Sequence, residues 1–244
     1  MFLPATVEQQ PADSARILPL GIDPATGSPV HHDLDQHPHL LIPAAGTRAA
    51  TATLRLIATY TAVHGAEVTL LTPVHAGYDG LISMHNVRVT RSLDRSAEAI
   101  HDFVDSMDVV SGDFYDDDVP VPYRALLVIE HLDVLTTQAR HNDTLARALS
   151  RLTTVVYTGG ALRHHLVAAT RRYTTAQLRT RLVREQMAVL SLGARTATER
   201  ALLQLDRQPR DGAALLRLPG HQSTEIQLTF LSPDDSHQLI SATN

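Results

Sequence analysis

Four places in the sequence set polar, chemistry-bearing residues against apolar runs. The first is Pro43-Ala44-Ala45-Gly46-Thr47-Arg48-Ala49-Ala50-Thr51, which follows the apolar phrase Pro38-His39-Leu40-Leu41-Ile42. A loop between a buried strand and a helix offers free backbone N–H groups and the positive end of a helix dipole, which together suit an anion. The second is Glu130-His131, directly after Ala-Leu-Leu-Val-Ile at 125–129. Such a pair either closes a buried strand as plain polar residues, paired with a neighbouring arginine, or works as acid and base. The third is the run Arg171, Arg172, Arg179, Arg181 and Arg184, which reads as a phosphate-contacting face, a subunit-interface face, or a solvated helix balanced by Glu185. The fourth is His31, His32, Asp33, Asp35, His37 and His39, a mixture of imidazole and carboxylate that would suit zinc or nickel. It lacks the helical spacing of HExxH, and with 14 histidines in the chain local clusters arise by chance. Neither GxSxG nor a GxGxxG after a strand occurs, and no Ser/His/Asp spacing marks a triad.

Composition narrows the chemistry further. With no cysteine there is no disulfide framework, thiolate zinc site or cysteine nucleophile. All 21 basic residues are arginine, so no mechanism that needs a lysine is available. A net charge of -5 argues against a protein coated in positive charge, while leaving room for a local basic face. The start, MFLPATVEQQPADSAR, lacks a basic region followed by an apolar core, and no run of about 18 apolar residues occurs. The expectation is a soluble, cytoplasmic protein with no membrane insertion.

The elements that must hold these residues follow from periodicity. Residues to about 17 read as an arm. A short hairpin is expected from Leu18 to Val30, turning at Asp23 to Pro29, and then a buried strand at His39 to Ile42. Thr47 to Val63 carries apolar residues at helical spacing and stops at His64-Gly65. Strands are expected at Glu67 to Thr72 and Asn86 to Thr90, a helix at Ser92 to Met107, and a solvated acidic loop over Ser111 to Pro122, including Asp116-Asp117-Asp118. Ala125 to Ile129 is the strongest strand. A helix over Thr144 to Leu152, a strand at Thr153 to Thr158, a long Arg-rich helical region from Ala168 to Gln186, and strands at Ala188 to Leu192, Ala213 to Leu218 and Glu225 to Phe230 complete the chain. Strands alternating with helices predict an α/β fold, a mostly parallel sheet flanked by helices.

The order of these phrases resembles the motor domain of the FtsK/SpoIIIE (HerA-type) family, hexameric translocases of double-stranded DNA. In that family a phrase with Asp-Leu and then Pro-His-Leu-Leu leads into the phosphate-binding loop, as Asp33-Leu34 and Pro38-His39-Leu40-Leu41 do here. Arg124 to Leu135 resembles the Walker B strand, Ser150 to Gly160 takes the place of the following strand, and Met187 to Leu203 and Pro209 to Asp235 resemble the closing phrases. The resemblance spans roughly residues 18–235 and implies a RecA-like P-loop NTPase fold, with 236–244 as a tail.

The departures bear on activity. A working P-loop reads GxxxxGK[ST], its lysine holding the β/γ-phosphates and its hydroxyl ligating magnesium. Laid on that pattern, the glycines fall on Ala44 and Ala49, the lysine on Ala50, and only the hydroxyl survives, as Thr51. Arg48 could supply charge, but its planar guanidinium does not replace an ammonium. In the second motif the magnesium-directing Asp falls on Glu130, and the Glu that activates water falls on His131. The resemblance therefore implies a catalytically degenerate motor domain with no cofactor, or ATP and Mg if the remnant still binds. Its implied partners are double-stranded DNA, further copies of itself or an active homologue, or a protein or peptide, as for the degenerate domains of type VII secretion motors. Residual translocation is the alternative, with Arg48 and Glu130 in unusual roles.

Overall fold

The computed structural model describes residues 14–44, 47–72, 77–113 and 124–243. One sheet of ten strands organises them in the order β2-β1-β10-β9-β8-β3-β7-β6-β4-β5. Its centre is parallel: β3 (His39–Pro43) lies between β7 (His164–Thr170) and β8 (Met187–Leu192), followed by β6 (Ala125–Ile129), β4 (Glu67–Leu71) and β5 (Val87–Thr90). Beyond β8 the sheet turns antiparallel through β9 (Ala214–Arg217), β10 (Thr224–Leu228), β1 (Ile17–Ile22) and β2 (Pro29–Asp33).

The inner strands β3, β6, β7 and β8 are buried along their whole length because both of their faces are covered, while β4 and β5 towards the edge alternate buried and partly exposed residues. Alternate side chains go to opposite layers. Leu41, Leu127, Ile129, Leu166 and Ala168 join α3 (Leu93–Asp113) and α5 (Asp143–Thr158) in one core. Leu40, Ile42, Leu126, Val128 and Val167 join α1 (Thr47–Val63) and α8 (Pro233–Thr243) in the other. Each fully buried leucine or valine contributes on the order of 2 kcal/mol. The boundary expected at residue 235 falls inside α8, whose Ile240 is buried and whose Ser236 hydroxyl lies 2.8 Å from that of Thr59 in α1. Short helices complete the layers: α2 (Asp79–Ile82), α4 (Leu132–Gln138), α6 (Thr180–Gln186) and α7 (Ala197–Leu203).

Three expectations are corrected. Thr153 to Thr158 is the last part of α5 and not a strand. Leu145, Ala148, Leu152, Val155 and Val156 form one buried helical stripe from the Asn142 cap onward, and that packing overrides the β-propensity of Thr, Val and Tyr. The strand that follows is β7, seven buried residues opening with two histidines, so no strand lies within Ser150 to Gly160. The helical region expected from Ala168 shrinks to the seven residues of α6, because Ala168 to Thr170 end β7. Helix α3 also runs on through Ser111 to Asp113, where a loop was expected; Asp116 to Asp118 lie outside the described residues.

Candidate functional site

The register places the site. Pro43 is level with Thr170, and His39 with Met187, so the loops leaving β3, β6 and β7 share the carboxyl edge of the parallel strands. Ligands of open α/β sheets bind beyond that edge. Ala44 continues β3 by one residue: its N–H donates to the Thr170 carbonyl at 2.9 Å and it bridges Leu192. That N–H is therefore not free for a phosphate. Gly46 lies outside the described residues, and Thr47 opens α1. Arg48 is exposed, with no ion pair or hydrogen bond to another described residue, and Ala49 is half-buried. Ala50 is 6% exposed and packs in the apolar layer with Leu54, Ile42 and Val128, so the position of a P-loop lysine holds a methyl group in the core.

Thr51 and Glu130 do meet. The Thr51 hydroxyl donates to Glu130 Oε1 at 2.5 Å, and the Thr72 hydroxyl, just past β4, donates to Oε2. Glu130 is 3% exposed, with its N–H on the Leu71 carbonyl at 3.0 Å. A buried carboxylate is tolerated only when its oxygens are bonded, and here both are. Tyr78 is buried in the same layer as Ala50, and the Arg55 guanidinium, 5.9 Å from its ring centre, also donates to the Gly77 and Leu231 carbonyls. Burial first, and the Glu130 charge second, hold the Tyr78 phenol well above its usual pKa. His131 is buried at the cap of α4, where its carbonyl accepts from Val134 and Leu135 at 3.1 and 3.2 Å; its ring caps nothing. With the lysine replaced by Ala50, the Ala44 N–H engaged and both Glu130 oxygens taken, this donor set does not fit a magnesium–triphosphate.

The five arginines do not form one face. Arg171 and Arg172 follow β7 at the carboxyl edge, exposed, and Arg171 pairs with Asp133 at 3.0 Å. Arg179 precedes α6 and is exposed; Arg181 pairs with Glu185 at 3.0 Å. Arg184, near the opposite edge, donates to the Ala201 and Leu202 carbonyls at 2.8 and 3.1 Å and so closes the end of α7. No group of three His, Asp or Glu side chains among the described residues is arranged to hold a metal. His39 and His165 serve the fold: Leu166 N–H donates to His39 Nδ1 at 3.0 Å, and His165 lies between the Arg124 guanidinium at 2.6 Å and the Pro38 carbonyl at 3.0 Å.

Sequence reasoning missed Thr72, which the adjacency of β4 and β6 brings to Glu130, as well as Tyr78 and the Arg55 guanidinium that lies over its ring. It also missed Arg195, whose guanidinium donates to the Arg171 and Leu192 carbonyls at 2.9 and 3.0 Å and ties the ends of β7 and β8 together. Burial lowers its pKa, while Glu199 at 3.8 Å supports its charge. The Thr196–Glu199 capping box opening α7 was a legible pointer to that neighbourhood.

No family model and no curated protein matches the sequence. Solved structures do match. The pCW3 conjugation coupling protein TcpA, determined with ATPγS, superposes with a TM-score of 0.77 at 14% identity, over 100% of this chain and 73% of that one. The cytoplasmic domain of the Thermomonospora curvata type VII secretion ATPase EccC gives 0.70 at 15% identity, over 100% of this chain and 33% of that one. ATPases 2 and 3 of the same EccC, in complex with a signal sequence peptide, give 0.67 at 16% identity, over 94% and 43%. The chain thus has the motor-domain fold of the FtsK/SpoIIIE-type ATPases, a RecA-like P-loop fold. Among the described residues no helix is long and apolar enough to cross a membrane.

Proposed function

We propose that this chain is a catalytically degenerate ATPase-fold subunit of a DNA-transfer or secretion machine, a structural or DNA-associated partner and not its motor. The observation that carries this is the closed arrangement of Thr51, Thr72 and Glu130 beside Ala50. The hydroxyl and carboxylate that would share a magnesium ion bond each other, and the cation that would hold the phosphates is absent. A retained scaffold without its chemistry suits a ring position, built from copies of the chain or shared with an active homologue.

The test is nucleotide binding and turnover with magnesium, with and without double-stranded DNA, beside an Ala50→Lys variant. We expect wild-type protein neither to bind nor to hydrolyse ATP, and Ala50→Lys to gain measurable binding. DNA-stimulated turnover by the wild type would overturn this and select the residual translocase, with Arg48, Glu130 and His131 as the next residues to change. A second reading, recognition of a peptide, is favoured by the likeness to EccC ATPases 2 and 3, which were solved with a signal sequence peptide. Capture of such a peptide without affinity for duplex DNA would select it.

A further inference from the structure

Away from the P-loop remnant, α4, α5 and the segment 171–179 enclose a cleft of about 670 Å3. That lies within the roughly 300–1,000 Å3 of small-ligand sites. Its walls carry two cations, Arg140 and Arg179, and no carboxylate. Both arginines are exposed, and neither has an ion pair with another described residue. Several other surface arginines of this chain of net charge -5 do have carboxylate partners, such as Arg88 with Asp102 and Arg151 with Asp105. The hydroxyls of Thr153, Thr154 and Thr175 line the rest, beside those of Thr136 and Ser150, which already donate to the Leu132 and Arg147 carbonyls, over an apolar floor that includes Leu149 and Leu178.

The wall formed by 171–179 is held in place. Gln177 Nε2 donates to Thr170 Oγ1 at 2.9 Å and to the Arg172 carbonyl at 2.8 Å, while its Oε1 accepts from Thr174 N–H at 3.2 Å. The buried Tyr173 hydroxyl donates to the Leu178 carbonyl at 2.8 Å. A wall ordered before binding spares a ligand the entropy of ordering it. On the opposite wall, the lining residues Ser150, Thr153 and Thr154 continue at helical spacing to Tyr157, which is 59% exposed and among the few large apolar groups left in solvent.

Unpaired guanidinium groups, hydroxyl donors, no competing carboxylate and an exposed ring on the same helix face match one ligand chemistry. Phosphoester oxygens take the arginines and hydroxyls, and a base stacks on the ring. We propose that this cleft binds a nucleotide unit, free or within a single strand of nucleic acid. An acidic peptide would satisfy the arginines but would leave the ring unused. The inference stands apart from the fate of the P-loop remnant.

The test is fluorescence anisotropy of a labelled oligothymidylate, and calorimetry with dTMP, at low and moderate salt. The Arg140→Glu/Arg179→Glu pair should weaken oligonucleotide binding at least about tenfold and flatten the dependence of log affinity on log salt by roughly 1.4, about 0.7 per lost phosphate contact. Tyr157→Ala should weaken it about fivefold or more, the lower end of one lost base stack. Arg210→Glu, outside the cleft, should leave it unchanged. Circular dichroism and melting confirm that each exposed-site variant folds. If dTMP binds with the same residue dependence, the free nucleotide is the source of the phosphoester; if only the oligonucleotide binds, it is the strand. Absence of binding to either, binding indifferent to Arg140 and Arg179, or equal competition by polyglutamate would each overturn the assignment.

Discussion

Removing the Thr51 hydroxyl separates a structural carboxylate from a catalytic one. In a working P-loop that hydroxyl serves the metal, so its loss is felt when nucleotide binds. Here it donates to Glu130 Oε1 at 2.5 Å, on a carboxylate 3% exposed. A hydrogen bond to a buried charged group contributes about 1.5–3 kcal/mol, so Thr51→Val should cost about 2 kcal/mol in the free protein. For a chain of this size each kcal/mol moves the melting point by about 2–4 °C, giving a fall of about 4–8 °C. Valine keeps the shape, so little of this comes from packing. The assay is thermal and urea unfolding in EDTA, without nucleotide, of wild type, Thr51→Val, Thr72→Val and the double variant. The double variant leaves both oxygens without these donors, so its loss should differ from the sum of the single losses. A Thr51→Val melting point within about 1 °C of wild type, or above it, would refute the view that the hydroxyl and Glu130 hold the fold instead of a metal.

Two further outcomes follow from buried groups. Burial first and the His37 ring second lower the pKa of His32 from 6.5 to about 4, against weaker support from the His37 backbone and Asp33. The unfolded chain then binds more protons between those values, so this stability is complete above about pH 6.5 and is lost as pH falls through about 4. By pH 4.5 the loss from His32 alone is on the order of 2–3 kcal/mol, and urea unfolding of His32→Leu at pH 7.5 and 4.5 should show a pH difference smaller by that amount. An unchanged difference would place the acid sensitivity elsewhere. Arg217 is 1% exposed and has no carboxylate; it donates to the Val183, Arg184 and Met187 carbonyls at 3.1–3.2 Å around the end of α6. Burial first and Arg184 second lower its pKa to about 10. Arg217→Met should cost about 2–4 kcal/mol in urea unfolding, because it orphans buried carbonyls; a neutral result would show that water replaces the guanidinium.

Much of the centre of the sheet was legible because strands buried on both faces are plain apolar runs. His39 to Ile42 and Ala125 to Ile129 could hardly be read otherwise, while Glu67 to Leu71 shows the alternation of a strand nearer the edge. β7 was not, since His164 and His165 hide a buried strand behind polar letters, while Thr153 to Thr158 lent β-branched letters to a helix. Thr51 and Glu130, 79 positions apart in the sequence, are brought into hydrogen-bond contact by the sheet and α1. Thr72 could not be assigned to them from sequence, because only the adjacency of β4 and β6 puts its hydroxyl on Glu130. The arginine run illustrates the reverse case. Its members are close in sequence, yet β7 ends at one edge of the sheet and β8 begins at the other, and the chain between them carries Arg171 and Arg184 apart.

The pairing of β1 with β10 has a consequence on the ribosome. Strand β1 waits for β10, with Gly21 opposite Leu228, and the central strand β3 waits for both β7 and β8. At about 5–20 residues per second, the hairpin of β1 and β2 stands for on the order of 10–40 s with an unpaired edge before its partner is synthesised. A nascent chain in that interval presents a strand edge of the kind that chaperones and neighbouring copies capture. Slowed translation of the codons leading up to β10 should therefore show first as aggregation, well before any change in the folded protein.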